Sequence, residues 1–295
     1  MRILWCEQRH SNTKSPDHLR YKMMNKLGDD ITFLWNDRTV DIPKEYPKEN
    51  YDAVLLYFSL DDFNNKWQTL ADYPVPKLMI ISDPEREILQ HVEFVKKFKI
   101  DMLLFLYPSW IPEYQKHLNC KMISFPWWID DGKTNVEKNI DLSYAAEYTE
   151  YHPIRMRMTY DERIRKLNIV KQPLSLQSNV SAENYVDILN RTKLFVFDGS
   201  RDRYANLKYI EGGMAECCIL ATVPLGEEFV HLKQYENYVP ITIDNYYDKI
   251  LEYLDDYDAA KRIASNGRMT YLKYHTTEIR MNELLRNLET LINGR

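Results

Sequence analysis

Short, unbroken apolar runs recur through the first half of the chain. They are Arg2 to Cys6 (RILWC), Tyr51 to Tyr57 (YDAVLLY), Lys77 to Ile81 (KLMII), Ile100 to Leu106 (IDMLLFL) and Lys121 to Phe125 (KMISF). None alternates apolar with polar, as a strand with one wet face does. Continuous runs of this length mark strands covered on both faces, as in a parallel sheet. Polar, helix-compatible stretches lie between them, notably His18 to Leu27, with Pro16 suited to its entry, and Pro84 to Phe98. Strands alternating with helices predict a doubly wound α/β domain.

The run PWWIDDGKTNVEKN (Pro126 to Asn139) breaks this rhythm and reads as the crossing into a second domain. Beyond it the theme repeats. Strands are predicted over Ile140 to Ala146, Leu167 to Lys171, Lys193 to Asp198, Cys218 to Thr222 and Tyr238 to Ile243. Helices are predicted over Ile154 to Lys166, Ala182 to Arg191, Leu207 to Glu216, Tyr246 to Asp255, Ala259 to Tyr274 and Thr276 to Ile292. The last helix carries an apolar stripe that must pack on its own domain or back on the first one. The expected layout is an N-terminal domain over 1–128, a linker over 129–139 and a C-terminal domain over 140–295. The fold class is α/β, two Rossmann-like domains facing across a cleft.

Length supports this: 295 residues is about two domains at roughly 100–200 residues each. Hydrophobic residues at 44% leave enough apolar material for a core in each half. The net charge of -5 disfavours a broad nucleic-acid footprint. No run approaches the roughly 20 apolar residues of a membrane span, and the N-terminus lacks a signal-peptide h-region. Cys6, Cys120, Cys217 and Cys218 sit in apolar surroundings and read as reduced thiols of a cytoplasmic protein. Cys217 and Cys218 are too close for a zinc pair, so no metal site is expected. The GxGxxG and GxxxxGK[ST] phosphate loops are both absent, which disfavours a dinucleotide dehydrogenase or a P-loop NTPase.

Ligands of open parallel sheets sit beyond the carboxyl ends of strands, so the chemistry is sought in the loops there. Arg201, Arg203 and Lys208 gather around the start of the Leu207 to Glu216 helix. Cations beside the exposed N–H groups of a helix start suit a phosphate anion such as a diphosphate. Asn206 and Tyr204 are placed to line the same pocket, Tyr204 by stacking on a base. Arg155 and Arg157 are second candidates for the diphosphate. Candidate proton acceptors in these loops are His10, Asp17, His18 and Asp83.

The order of NRTKLFVFDGS (Asn190 to Ser200), LKYIEGGMAECCILAT (Leu207 to Thr222) and NGRMTYLKYHTTEIRMNELL (Asn266 to Leu285) resembles the donor domain of GT-B glycosyltransferases. The similarity is to the group-1-like branch that includes spore-maturation proteins. Its pattern falls on Lys208, Tyr209, Glu211, Thr222, Gly267, Arg268, His275, Thr276 and Arg280. SFPWWID (Ser124 to Asp130) resembles the inter-domain segment, and IDLSYAAE…HPIR (Ile140 to Arg155) the first strand and loop of the donor domain. The resemblance covers roughly the last 170 residues well and the first 120 by architecture only.

It implies a metal-independent transfer of sugar from a nucleotide-diphosphate sugar to an acceptor hydroxyl on a glycan, lipid or protein, with no further cofactor. It also implies that Glu211 accepts from the donor ribose hydroxyls. His275, Thr276 and Arg280 read as structural. Many retaining relatives carry two glutamates separated by seven residues. Here the earlier position is Arg203, with Asp202 one place off, so retaining and inverting outcomes both stay open. A non-catalytic protein on the same fold, and a sugar transferase acting on modified nucleic-acid bases, remain alternatives.

Overall fold

The computed structural model describes residues 1–7, 15–35, 40–57, 68–85, 88–130, 136–146, 152–167, 169–173, 182–199 and 203–294. The chain divides into two compact units, Met1–Pro126 with Thr277–Arg295, and Trp127–Thr276. His10 and Arg201 lie outside the described residues, and so do the side chains of Asp17 and His18.

The first unit runs β1 (Ile3–Glu7), α1 (Ser15–Leu27), β2 (Ile31–Trp35), α2 (Ile42–Glu45), β3 (Ala53–Tyr57), β4 (Lys77–Ile81), α3 (Ile88–Phe98), β5 (Met102–Phe105), α4 (Ile111–Gln115) and β6 (Lys121–Ser124). All six strands are parallel, in the order β2-β1-β3-β4-β5-β6. Every residue of β1, β3, β4 and β5 is buried, which is why their sequences show no alternation. The run ITFLW (β2) is not among the expected strands. It is an edge strand with Thr32 and Phe33 partly exposed, so it lacks the long apolar signature of the central ones.

The second unit holds β7 (Ile140–Ala146), α5 (Pro153–Tyr160), β8 (Ile169–Pro173), α6 (Ala182–Arg191), β9 (Thr192–Phe197), α7 (Leu207–Met214), β10 (Cys218–Ala221), β11 (Val239–Pro240), α8 (Tyr246–Asp255) and α9 (Tyr257–Tyr274). Its parallel sheet has the order β11-β10-β9-β7-β8. Alternate residues feed opposite cores. Leu194 and Val196 of β9 join one, Phe195 and Phe197 the other, so both faces are dry. The expected helix 154–166 stops at Tyr160. There Asp161 accepts from the backbone N–H of Arg163 at 3.0 Å and from its guanidinium, a local bond that competes with helix continuation. The expected strand 238–243 shrinks to the two residues of β11.

Helix α7 lies close to its neighbours because it carries two glycines. A Cβ at Gly212 would meet Ile219 at 2.6 Å, and one at Gly213 would meet the Gly267 carbonyl at 3.0 Å. The terminal helix, α10 (Thr277–Asn293), counts with the first unit and packs on α1, where Lys26 Nζ donates to Asn282 Oδ1 at 2.8 Å. Arg280 is buried there, paired with Glu283 and 5.3 Å above the Phe125 ring. No described helix is long and apolar enough to cross a membrane.

Candidate active site

In both sheets the chain reverses its winding direction at one point, and the carboxyl ends of the strands flanking that point form a natural crevice. In the second unit these strands are β7 and β9. Asp198 directly follows β9 and is 1% exposed. It faces the start of α5, whose first residue, Pro153, has no N–H to satisfy. The Asp198 carboxylate takes the next two, from Ile154 at 3.0 Å and Arg155 at 3.4 Å. It also accepts from Arg155 Nε at 2.9 Å and lies 2.8 Å from His152 Nδ1. Burial pushes its carboxyl upward, but His152 and Arg155 outweigh that and hold it below the usual carboxylate range. Arg155, expected at a diphosphate, is therefore 1% exposed and engaged with Asp198, while Arg157 lies on the exposed side of α5.

The loop after β9 leads into α7. Arg203 has a left-handed backbone (φ 55°), and its guanidinium donates to the Val223 carbonyl at 3.1 and 3.2 Å. The Leu225 N–H returns a bond to the Arg203 carbonyl at 2.7 Å, so the loops after β9 and β10 are stitched together. Tyr204 is 7% exposed, which leaves little ring face for the stacking expected of it. Asn206 is the N-cap of α7. Its side chain accepts from the Lys208 N–H at 3.1 Å and so already satisfies one of the free amides expected to meet a phosphate.

Lys208 and Glu211 are one turn apart on α7 and lie on the same side of it. Glu211 accepts from the Tyr185 hydroxyl of α6 at 2.6 Å. Part of Glu211 reaches solvent, yet its dense surroundings push the carboxyl upward, with Lys208 and the Tyr185 hydroxyl pulling it back. Arg203, Asn206, Lys208 and Glu211 are thus gathered on one loop and one helix. Tyr185, Asp198 and His152 belong to the same edge and were not singled out from the sequence. The available signal was an acid at the end of the apolar run LFVFD.

The corresponding strands of the first unit are β1 and β3, which end on Glu7 and Tyr57. Glu7 is 2% exposed, and burial raises its pKa to about 7 against the opposing charge of Arg20, whose Nη1 donates to it at 3.1 Å. Burial, then the charges of Glu7 and Asp83, raise the Tyr57 hydroxyl, so these three groups form one cluster. Asp83 is partly exposed in the loop after β4. Next to it, the Pro84 carbonyl accepts from the Tyr114 hydroxyl at 2.9 Å, and that hydroxyl also meets His91 Nδ1. The sequence places Glu7 at the head of the polar loop and gives it no role, whereas the structure makes it the last, buried residue of β1.

His275 lies buried between the carbonyls of Val230 (3.0 Å) and Trp127 (3.3 Å), within the packing of the second unit. All four cysteines are free thiols, three of them buried.

Solved structures similar to this chain share its fold over nearly the whole length. Sucrose-phosphate synthase from Thermosynechococcus elongatus matches with a TM-score of 0.70 at 10% identity, covering 100% of both chains. A glycosyltransferase from Rickettsia africae matches at 0.66 and 10% identity, covering 100% of this chain and 99% of that one. Anabaena HepE, solved in complex with UDP and glucose, matches at 0.65 and 9% identity, covering 99% of this chain and 100% of that one. The fold is therefore GT-B. Residues 146–286, most of the second unit with the start of α10, match the profile of a family described as glycosyl transferase-like. The chain thus shares the fold of these structures and, over residues 146–286, is similar to a glycosyl transferase-like family. Comparison with curated protein sequences gives no match.

Proposed function

We propose that the chain moves a sugar from a nucleotide-diphosphate sugar to an acceptor hydroxyl, with the donor held at the carboxyl edge of the second sheet. The observation that carries this is the placement of Lys208 and Glu211 one turn apart at the start of α7, directly beyond β9. In this reading Lys208, with Arg203 and the remaining amides of the α7 start, binds the diphosphate and stabilises its departure. Glu211, oriented by Tyr185, accepts from the two hydroxyls of the ribose, a task suited to the paired oxygens of a carboxylate. Asn206 fixes the helix start that presents them. Arg155 acts from behind, holding Asp198 and hence the α5 start in place.

The attacking hydroxyl loses its proton to a carboxylate at the carboxyl edge of the first sheet. Asp83, which reaches solvent, is the group assigned here, and Glu7 beside Tyr57 sets the local charge. Cations and helix dipoles carry the charge of the leaving diphosphate, so the reaction needs neither a metal ion nor a cofactor beyond the donor. The free thiols fit a reducing, cytoplasmic setting. UDP-sugars are the first donors to test, because HepE is held with UDP and glucose.

The test is calorimetric titration of the full chain with UDP-, GDP-, ADP- and TDP-glucose, followed by a donor-consumption assay. One donor is expected to bind saturably, and D83N is expected to bind it unchanged while lowering turnover about 100-fold or more. Failure of every donor to bind would sink the proposal. Donor binding without turnover in the presence of an acceptor panel would favour a binding protein on the same fold.

A further inference from the structure

At the opposite edge of the second sheet, the amino ends of its strands surround a separate cavity of about 340 Å³. Lys138 lies just before β7, Asn190 in the last turn of α6, Lys193 at the start of β9, Tyr257 and Lys261 at the start of α9, and Arg268 further along α9. Two features mark this cavity as more than a gap. Asn190 is 2% exposed, and neither its amide nitrogen nor its amide oxygen has a hydrogen-bond partner. A buried amide in that condition is costly and calls for a partner that supplies both an acceptor and a donor.

The second feature is charge. Four cations line the cavity against the single carboxylate of Glu216. Lys193 pairs with Asp141 at 2.6 Å and Lys261 with Asp258 at 3.0 Å. Lys138 Nζ instead donates to the Ala215 carbonyl at 2.5 Å and lies 3.9 Å from Cys217 Sγ, neither of which carries a carboxylate's charge. The Arg268 guanidinium is anchored on the Met214 carbonyl. Lys193 and Lys261 also lie within 5.3 and 4.8 Å of the Tyr257 ring centre, which presents an aromatic wall between them.

We infer that this cavity binds a hydroxylated organic phosphate, a sugar monophosphate in size and chemistry, independently of the nucleotide-sugar site. The phosphoryl oxygens meet the cations and accept from the Asn190 amide N–H, and a hydroxyl of the same ligand donates to the Asn190 carbonyl. Inorganic phosphate, which offers little beyond acceptors, satisfies only half of that amide, and an uncharged sugar brings no charge to Lys138, which donates to a carbonyl rather than a carboxylate.

The experiment is isothermal titration of the full chain with glucose 6-phosphate, inorganic phosphate and glucose. Saturable binding of glucose 6-phosphate, at least tenfold tighter than that of inorganic phosphate and with none for glucose, is expected. Asn190→Leu keeps the side-chain volume but removes the amide, and should weaken binding tenfold or more. Lys261→Glu, on the exposed rim, should weaken it severalfold and keeps the test decisive should Asn190→Leu fold poorly by circular dichroism. Titration with UDP-glucose should give the same result in all three proteins. No saturable binding to the wild-type chain, or wild-type affinity in both variants, overturns the assignment. Equal affinity for inorganic phosphate and glucose 6-phosphate overturns the role given to Asn190.

Discussion

Each sheet presents a buried carboxylate where its winding reverses, and the two are treated in opposite ways. Asp198, beyond β9, receives two backbone N–H groups, a guanidinium and an imidazole, and is held in its charged form. Glu7, at the end of β1, has one guanidinium against its burial and is raised to about pH 7. Burial pushes both upward, so the number of donors aimed at the carboxylate decides the outcome. A charge that is fully satisfied becomes a structural pin, here fastening α5 to β9. A charge met by fewer donors stays poised to change state near neutral pH.

The largest expected break in this comparison is Asp198→Ala. It leaves Arg155 and His152 without their carboxylate and uncaps α5, and should cost about 3–5 kcal/mol of stability. Urea unfolding followed by circular dichroism measures it; a loss under about 1 kcal/mol would mean that the network is dispensable.

The next effect, about 3 kcal/mol for each group, concerns pH. Glu7 keeps its proton in the folded chain where the unfolded chain has lost it. Its contribution is present below about pH 4.5 and is lost as pH rises through about 7. Burial lowers His91 from 6.5 to about 4, so its contribution is present above about pH 6.5 and is lost as pH falls through about 4. The two oppose each other across nearly the same window. Wild-type stability should therefore be nearly flat from about pH 4.5 to 6.5. Glu7→Gln should make it rise with pH and His91→Phe should make it fall, by about 3 kcal/mol at the extremes. Parallel curves for all three proteins would show that neither group titrates as its burial dictates.

The smallest effect sharpens the comparison at the donor edge. Lys208→Ala or Glu211→Ala should weaken donor binding by about 10- to 100-fold, as expected for loss of one charged hydrogen bond at about 1.5–3 kcal/mol. The melting temperature should hardly move, since both side chains reach solvent. Unchanged donor affinity in both variants would detach α7 from the donor.

What the sequence determined is what depends on local pattern. Unbroken apolar runs in β1, β3, β4, β5 and β9 announce strands buried on both faces, and with the intervening amphipathic stretches they define two parallel α/β units. The cluster Arg203, Asn206, Lys208 and Glu211 was legible because it lies within nine residues of one loop and helix. Edge strand β2 was not, although edge strand β6, also partly exposed, was. Tertiary structure alone decided that Arg155 is the partner of Asp198, 43 residues away, that Tyr185 orients Glu211, and that Glu7, Tyr57 and Asp83 form one cluster. The protonation of a carboxylate depends on which donors surround it in space, and chain order does not record those distances.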